Sequence, residues 1–403
     1  MPLNIDDSKI ALAIPPIFRL AFRPLFLGGT LFSILAIAWW VYFWNSASAW
    51  MPHGGPVWWH GHEMLFGFGA AIVVGFLLTA VQSWTGVLGL RGKPLALLAL
   101  AWLLGRIFLA FGMSLGFTAW LIALVDISFL LLASIAMAYP VFKVKQWSNL
   151  MFVPILLVLS FLNATGHWGV INHHIAMATQ SLHATIILFS LIITILGGRV
   201  IPSFTANTTR CTKKAPLKWL EVTSIVSIIL LLLIAFMGFD NVQPVLLLVI
   251  SSIAALANGW RFSRWGFQHC ASVPLLWSLH LAYIFIPTGF LLLALHSVGI
   301  VDNVSAALHS ITLGAIGGMI LAMISRVTLG HTGRQLTPPR LITLAYIFIF
   351  LAAIVRVVIP VLFAQYTSLG ITVAGVLWVL GFSVYAYFYV PMLVTKRIDG
   401  RPG

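Results

Sequence analysis

Of 403 residues, 61% are apolar and 7% are charged, against roughly 45–50% and 25% in an ordinary soluble domain, which excludes a soluble globular fold. The formal net charge of +14 does not indicate nucleic acid, because Lys and Arg punctuate the apolar runs instead of gathering on one surface; lipid is the expected surround. Hydrocarbon offers the backbone no hydrogen bonds, so apolar runs of roughly 20 residues read as transmembrane helices and the chain as an all-α integral membrane protein.

The first 23 residues, with Asp6, Asp7 and Pro15-Pro16, form a cytoplasmic N-terminal segment without the pattern of a cleavable signal peptide. One transmembrane domain over 24–394 follows, with spans near 24–44, 62–83, 94–111, 118–139, 149–164, 175–197, 219–238, 242–259, 273–296, 304–325, 341–363 and 370–394, and residues 395–403 form a cytoplasmic tail. The short fifth span and Ser251-Ser252 in the eighth leave a count of ten or eleven open to hydropathy alone. Charge selects twelve. Alternate connections then carry Arg91 and Lys93; Lys143 and Lys145; Arg199, Arg210, Lys213, Lys214 and Lys218; Arg261 and Arg264; Arg326, Arg334 and Arg340, while those between carry no Lys or Arg. This positive-inside alternation predicts that both termini are cytoplasmic. Cys211 and Cys270 fall on cytoplasmic connections, where thiols stay reduced and no structural disulfide is expected.

Two arginines break the pattern. Arg106 lies in the third span and Arg356 in the eleventh, where a cation costs at least about 2.5–3.5 kcal/mol and calls for an anionic partner or a watery cavity. Asp126 in the fourth span and Glu63 at the outer end of the second are the acidic residues at hand; an anionic cofactor is the alternative.

Twelve histidines accompany eight acidic residues, and most fall on the outer half. The second span opens WHGHEMLFGFG, with His60, His62 and Glu63; the sixth contains SLHAT, with His183; the tenth contains ALHSIT, with His309. These helices are four apart, Arg199 and Arg326 follow His183 and His309 at similar spacing, and Arg106 and Arg356 each lie one helix after a histidine helix. The spacing predicts three repeats of four helices whose histidines face a shared interior, although the seventh span lacks the matching arginine. Imidazoles on facing helices of a bundle suit haem iron and copper, and haem propionates would answer Arg106 or Arg356. A lone intramembrane histidine also serves as an interhelical hydrogen-bonding group, which is the competing reading at each position. His280 in the ninth span lies nearer the cytoplasmic side, and His173 and His174 at the start of helix six complete a copper site or sit in a solvated loop. His53, His167, His269 and His296 read as interfacial or loop residues. The glycines of helices two and ten read as packing positions, and Arg326, His331 and Arg334 after helix ten are explained by positive-inside charge or by a propionate clamp.

The segments FRPLFLGG, WHGHEMLFGFGAAIVVGFLLTA, QSWTG, LRGKPL, GGRVIPSFT and SRVTLGHTGR together resemble the NnrS family from about Phe22 to Arg334. The resemblance implies a twelve-helix bacterial inner-membrane protein holding haem b and copper, with nitric oxide as ligand and a role in denitrification or protection from nitrosative stress. The histidines of helices two, six and ten are also similar to those of the haem-copper oxidase and nitric oxide reductase catalytic subunit. That resemblance makes His62 and His309 haem candidates and His183 a copper or second-haem candidate. Helix ten has one histidine where that family has two, and helix seven has none. The expected function is therefore binding of nitric oxide or another diatomic at a haem–metal site, with reduction by an unidentified electron donor and Glu63 as proton carrier. The candidate cofactor residues are His62, His309, His280, Arg106, Arg356 and Arg326; the candidate metal ligands are His60, His62, His183, His309, His173 and His174. A secondary transporter and a non-catalytic haem sensor or electron-transfer protein are the alternatives.

Overall fold

The computed structural model describes residues 8–402, and every regular element among them is helical. Twelve helices are long and apolar enough to cross a membrane: α1 Phe22–Asn45, α2 Gly55–Thr85, α3 Lys93–Phe111, α4 Ala119–Lys143, α5 Trp147–Ile171, α6 Ile175–Thr209, α7 Lys218–Met237, α8 Pro244–Ser263, α9 Pro274–Ser297, α10 Val304–His331, α11 Ile342–Leu362 and α12 Ala364–Val394. Twelve is the count that the alternating charge selects. The helix α5 runs to residue 171 instead of 164, because the small and polar residues of NATGH lower hydropathy without interrupting i→i−4 bonding. The helix α8 continues through Ser251-Ser252 for the same reason.

Burial separates the helices. Over their most apolar windows α2, α6 and α10 are each 78% buried, against 33–56% for the other nine, so every fourth helix is an interior one. Two of these three carry a stretch of π-helix, Glu63–Gly69 in α2 and Ser310–Gly317 in α10, each starting at the residue after a histidine. A π-turn inserts an extra residue and re-aims the side chains around it, and such bulges gather at functional sites. Between Ile175 and Thr209, α6 is α-helical throughout.

The chain divides into two compact units. The first holds α1–α5 with residues 326–337 and the chain from Tyr385 onward; in it α1 packs on α2, α2 on α4, α3 on α4 and α4 on α5. The C-terminal residues are bonded into this unit: Arg23 donates to the carbonyls of Leu393 (2.9 Å) and Thr395 (2.7 Å), capping the negative end of α12, and Arg397 donates to the carbonyl of His331 (3.0 Å). The second unit holds 180–325 and 338–384, with α7 on α8, α8 on α9, α9 on α10 and α10 on α11.

Candidate functional site

The polar side chains that the first unit buries come together at one place. On α2, His62 and Glu63 sit where the helix widens. Glu63 Oε1 lies 3.1 Å from His62 Nδ1 and accepts from Arg106 Nη1 of α3 at 2.9 Å. The other guanidinium nitrogen, Nη2, bonds Asp126 Oδ1 of α4. Thus Arg106 finds both carboxylates of the outer half and needs no anionic cofactor as counter-charge. Asn163 and His167 stand one turn apart on α5 and so share a face. Asn163 Nδ2 donates to Asp126 Oδ2 at 2.7 Å, and its Oδ1 lies 2.8 Å from His62 Nε2. His167 Nε2 is 3.1 Å from the same Asp126 oxygen.

His53, in the loop between α1 and α2, closes the chain of contacts with Nε2 3.2 Å from His167 Nδ1. Burial, reinforced by His167 and His62 and opposed by Asp126, pushes His53 down to about 3, so its ring is neutral at physiological pH. None of these seven side chains is more than 4% exposed; each polar contact therefore operates at low dielectric.

Two glycines make the arrangement fit. A Cβ at Gly67 would stand 2.5 Å from Arg106 Nη1, and one at Gly105 would stand 3.0 Å from Asp126 Oδ1. Trp102, one turn before Arg106, donates to the Gly67 carbonyl at 2.8 Å, locking α3 onto the widened turn of α2. Trp58 and Phe66 flank the His62 ring at centroid distances of 4.6 and 4.9 Å.

The cluster contains a donor set that could hold a metal ion. One ligand atom from each of His62, Asp126 and His167 lies within 4.8 Å of the others, the one such group of three or more among the described residues. Two imidazoles and a carboxylate suit a borderline metal such as Zn, Fe(II) or Cu(II), and Glu63 at His62 Nδ1 is the outer partner that fixes a ligating ring. Glu63 Oε2 is buried with no hydrogen-bond partner.

The remaining candidates lie elsewhere. His60 stacks on Trp40 with centroids 4.4 Å apart, and His173 and His174 are exposed at the α5–α6 turn. In the second unit, His183 stacks on Phe239 (5.4 Å), and His280 Nε2 lies 2.9 Å from Thr205 Oγ1 with Nδ1 buried and unpartnered. His309 is held by Ser305, which also meets Arg356. Arg326 is half-buried in the last turns of α10. His53 and His167, read from sequence as interfacial or loop residues, are instead buried members of the cluster, and Asn163 carried no signal of its own. The i, i+4 spacing of Asn163 and His167 was the available clue, hidden by ending the fifth span at 164.

No curated protein matches the chain. The family described as NnrS protein matches residues 16–397, nearly the whole length, so the chain belongs to the NnrS family and is a membrane protein of nitric oxide metabolism.

Proposed function

We propose that this protein is a haem- and copper-containing protein of the bacterial cytoplasmic membrane that binds nitric oxide and protects the cell by reducing it. The observation that carries the reading is the buried triangle of His62, His167 and Asp126, a donor set without thiolate or thioether that accepts copper as well as other borderline ions. A metal held there would supply a redox-active centre for nitric oxide, drawing the electrons for its reduction from an external donor. The rest is the work of side chains. Glu63 orients His62 through Oε1 and, with Oε2 bare, carries the proton that reduction consumes. Arg106 holds both carboxylates in place and offsets one of their two charges. His53 and Trp58 close the site toward the loop.

For haem, His309 is the best-suited residue. Its Nδ1 is 2.7 Å from the Ser305 carbonyl, which only accepts, so Nδ1 bears the proton and Nε2 is the basic nitrogen of the neutral ring. His280 and Arg326 are further candidates, and His183, His60, His173 and His174 rank behind His167 as metal ligands.

The test is an optical spectrum of the detergent-purified protein, oxidised and dithionite-reduced, with metal analysis, on the wild type and the His62→Ala, His167→Ala, His183→Ala and His309→Ala variants. The wild type should show a Soret band and bound metal. His62→Ala and His167→Ala should lose the metal, and His309→Ala the haem bands. Well-folded wild type with neither haem nor metal would sink the proposal and turn attention to transport; full metal content in His167→Ala would remove the triangle as the site.

A further inference from the structure

The second unit resembles the first in one construction but lacks both of its carboxylates. In both, a histidine stands immediately before a π-turn in an interior helix, an arginine reaches it from the next helix, and one side chain joins the two. In the first unit the joining group is Glu63, and Asp126 supplies a second carboxylate to Arg106. In the second it is Ser305. The Ser305 hydroxyl accepts from Arg356 Nη2 at 3.1 Å and lies 2.9 Å from His309 Nδ1, one turn along α10.

A hydroxyl carries no charge, and the unit offers no carboxylate in its place. Glu221 is bound by Arg261 at 2.5 Å, Asp240 and Asp302 are exposed in connections, and Arg356 has no ion pair among the described residues. Its Nη1 is buried with no hydrogen-bond partner. The guanidinium also touches the first turn of α10, the positive end of a 28-residue helix, where anions are favoured and cations disfavoured. A membrane guanidinium with an idle donor at the positive end of a helix lacks its counter-charge.

We infer that Arg356, with Ser305 and the first turn of α10, is a binding site for a planar anion bearing two oxygens, a carboxylate or a small inorganic oxyanion. The guanidinium fork matches that geometry. Two sources share the chemistry: a free oxyanion, and the carboxylate of a bound porphyrin. The second source rests on the haem reading above; the first does not.

The experiment compares wild type with Arg356→Gln and Arg356→Lys, which keeps the charge without the fork. Thermal melting is followed while sodium nitrite or sodium acetate replaces sodium chloride at constant ionic strength, and porphyrin content is measured beside it. A free oxyanion site gives a saturable rise in wild-type Tm, with affinity at least about tenfold weaker in Arg356→Gln and intermediate in Arg356→Lys. A porphyrin carboxylate gives no anion-dependent rise, but Arg356→Gln retains less pigment, and haem dimethyl ester restores wild type and variant equally poorly. If wild type and both variants show the same melting curves in every salt and the same pigment content, the site is overturned. Protein without any pigment fails the haem reading while leaving the melting titration to decide this one. Should Arg356→Gln fail to fold, Arg356→Lys and Ser305→Ala carry the same comparison.

Discussion

Glu63 spends one carboxylate oxygen on both His62 and Arg106 and leaves the other with no partner. A purely structural carboxylate would have both oxygens satisfied, since a buried bare acceptor costs about 1–3 kcal/mol. Glutamine keeps the Oε1 contacts and removes the proton. Glu63→Gln should therefore retain metal and pigment while nitric oxide consumption under a reductant falls by about 10²–10⁴-fold; undiminished consumption would remove the assigned role.

The two cysteines give a separate check of burial. Burial pushes the Cys270 thiol up, so its reactive thiolate forms only at higher pH. Alkylation of Cys270 by iodoacetamide should lag that of the half-buried Cys211 at pH 7 and still at pH 9, read by mass spectrometry; equal rates at both pH values would contradict the burial.

Single residues were legible where they were anomalous. Arg106, Asp126, Glu63 and His62 stand out because charge and imidazole are costly in hydrocarbon. Asn163 does not, because an amide in an apolar run is ordinary, and its role exists only through contacts with Asp126 and His62.

At the scale of elements, the site depends on how closely α2, α3 and α4 approach. Helix formation favours alanine over glycine by about 1 kcal/mol, but at Gly67 and Gly105 the space is already taken by Arg106 and Asp126. Gly67→Ala and Gly105→Ala should each lose about 1–3 kcal/mol through overpacking, with a lower melting temperature and reduced metal content. Gly259 in α8 is the comparison: a Cβ there meets nothing nearer than 4.0 Å, so Gly259→Ala should be neutral or stabilising. A metal loss in Gly259→Ala equal to that in Gly67→Ala would show that the close approach is not what matters.

Hydropathy fixed the existence of the helices, and alternating charge their number. It could not register the π-turns at Glu63–Gly69 and Ser310–Gly317, because a shift from i→i−4 to i→i−5 bonding leaves composition unchanged. The same blindness cut α5 short at 164 and put His167 outside the membrane.

For the whole molecule, the decisive signal was the distribution of Lys and Arg residues over alternate connections. The positive-inside rule predicts that the α1–α2 loop, which carries His53, lies on the outer side. The helices α2, α6 and α10 are the most buried of the twelve, but the surroundings of their histidines differ: the first unit contains its own carboxylates, and the second answers Arg356 with a hydroxyl. Composition gave no warning of that difference, since it turns on single positions, Glu63 and Ser305, in otherwise similar helices. The orientation itself is open to direct measurement. In a Cys211→Ser, Cys270→Ser background, Met51→Cys lies on the α1–α2 loop, where Met51 is 70% exposed, and Lys214→Cys lies on the exposed α6–α7 connection. A membrane-impermeant maleimide applied to cells with a permeabilised outer envelope should label Met51→Cys at once and Lys214→Cys only after the cytoplasmic membrane is broken. The opposite order would reverse the topology. Labelling of both before lysis would mean that the positive-inside rule fails for this chain and that the charge alternation has another origin.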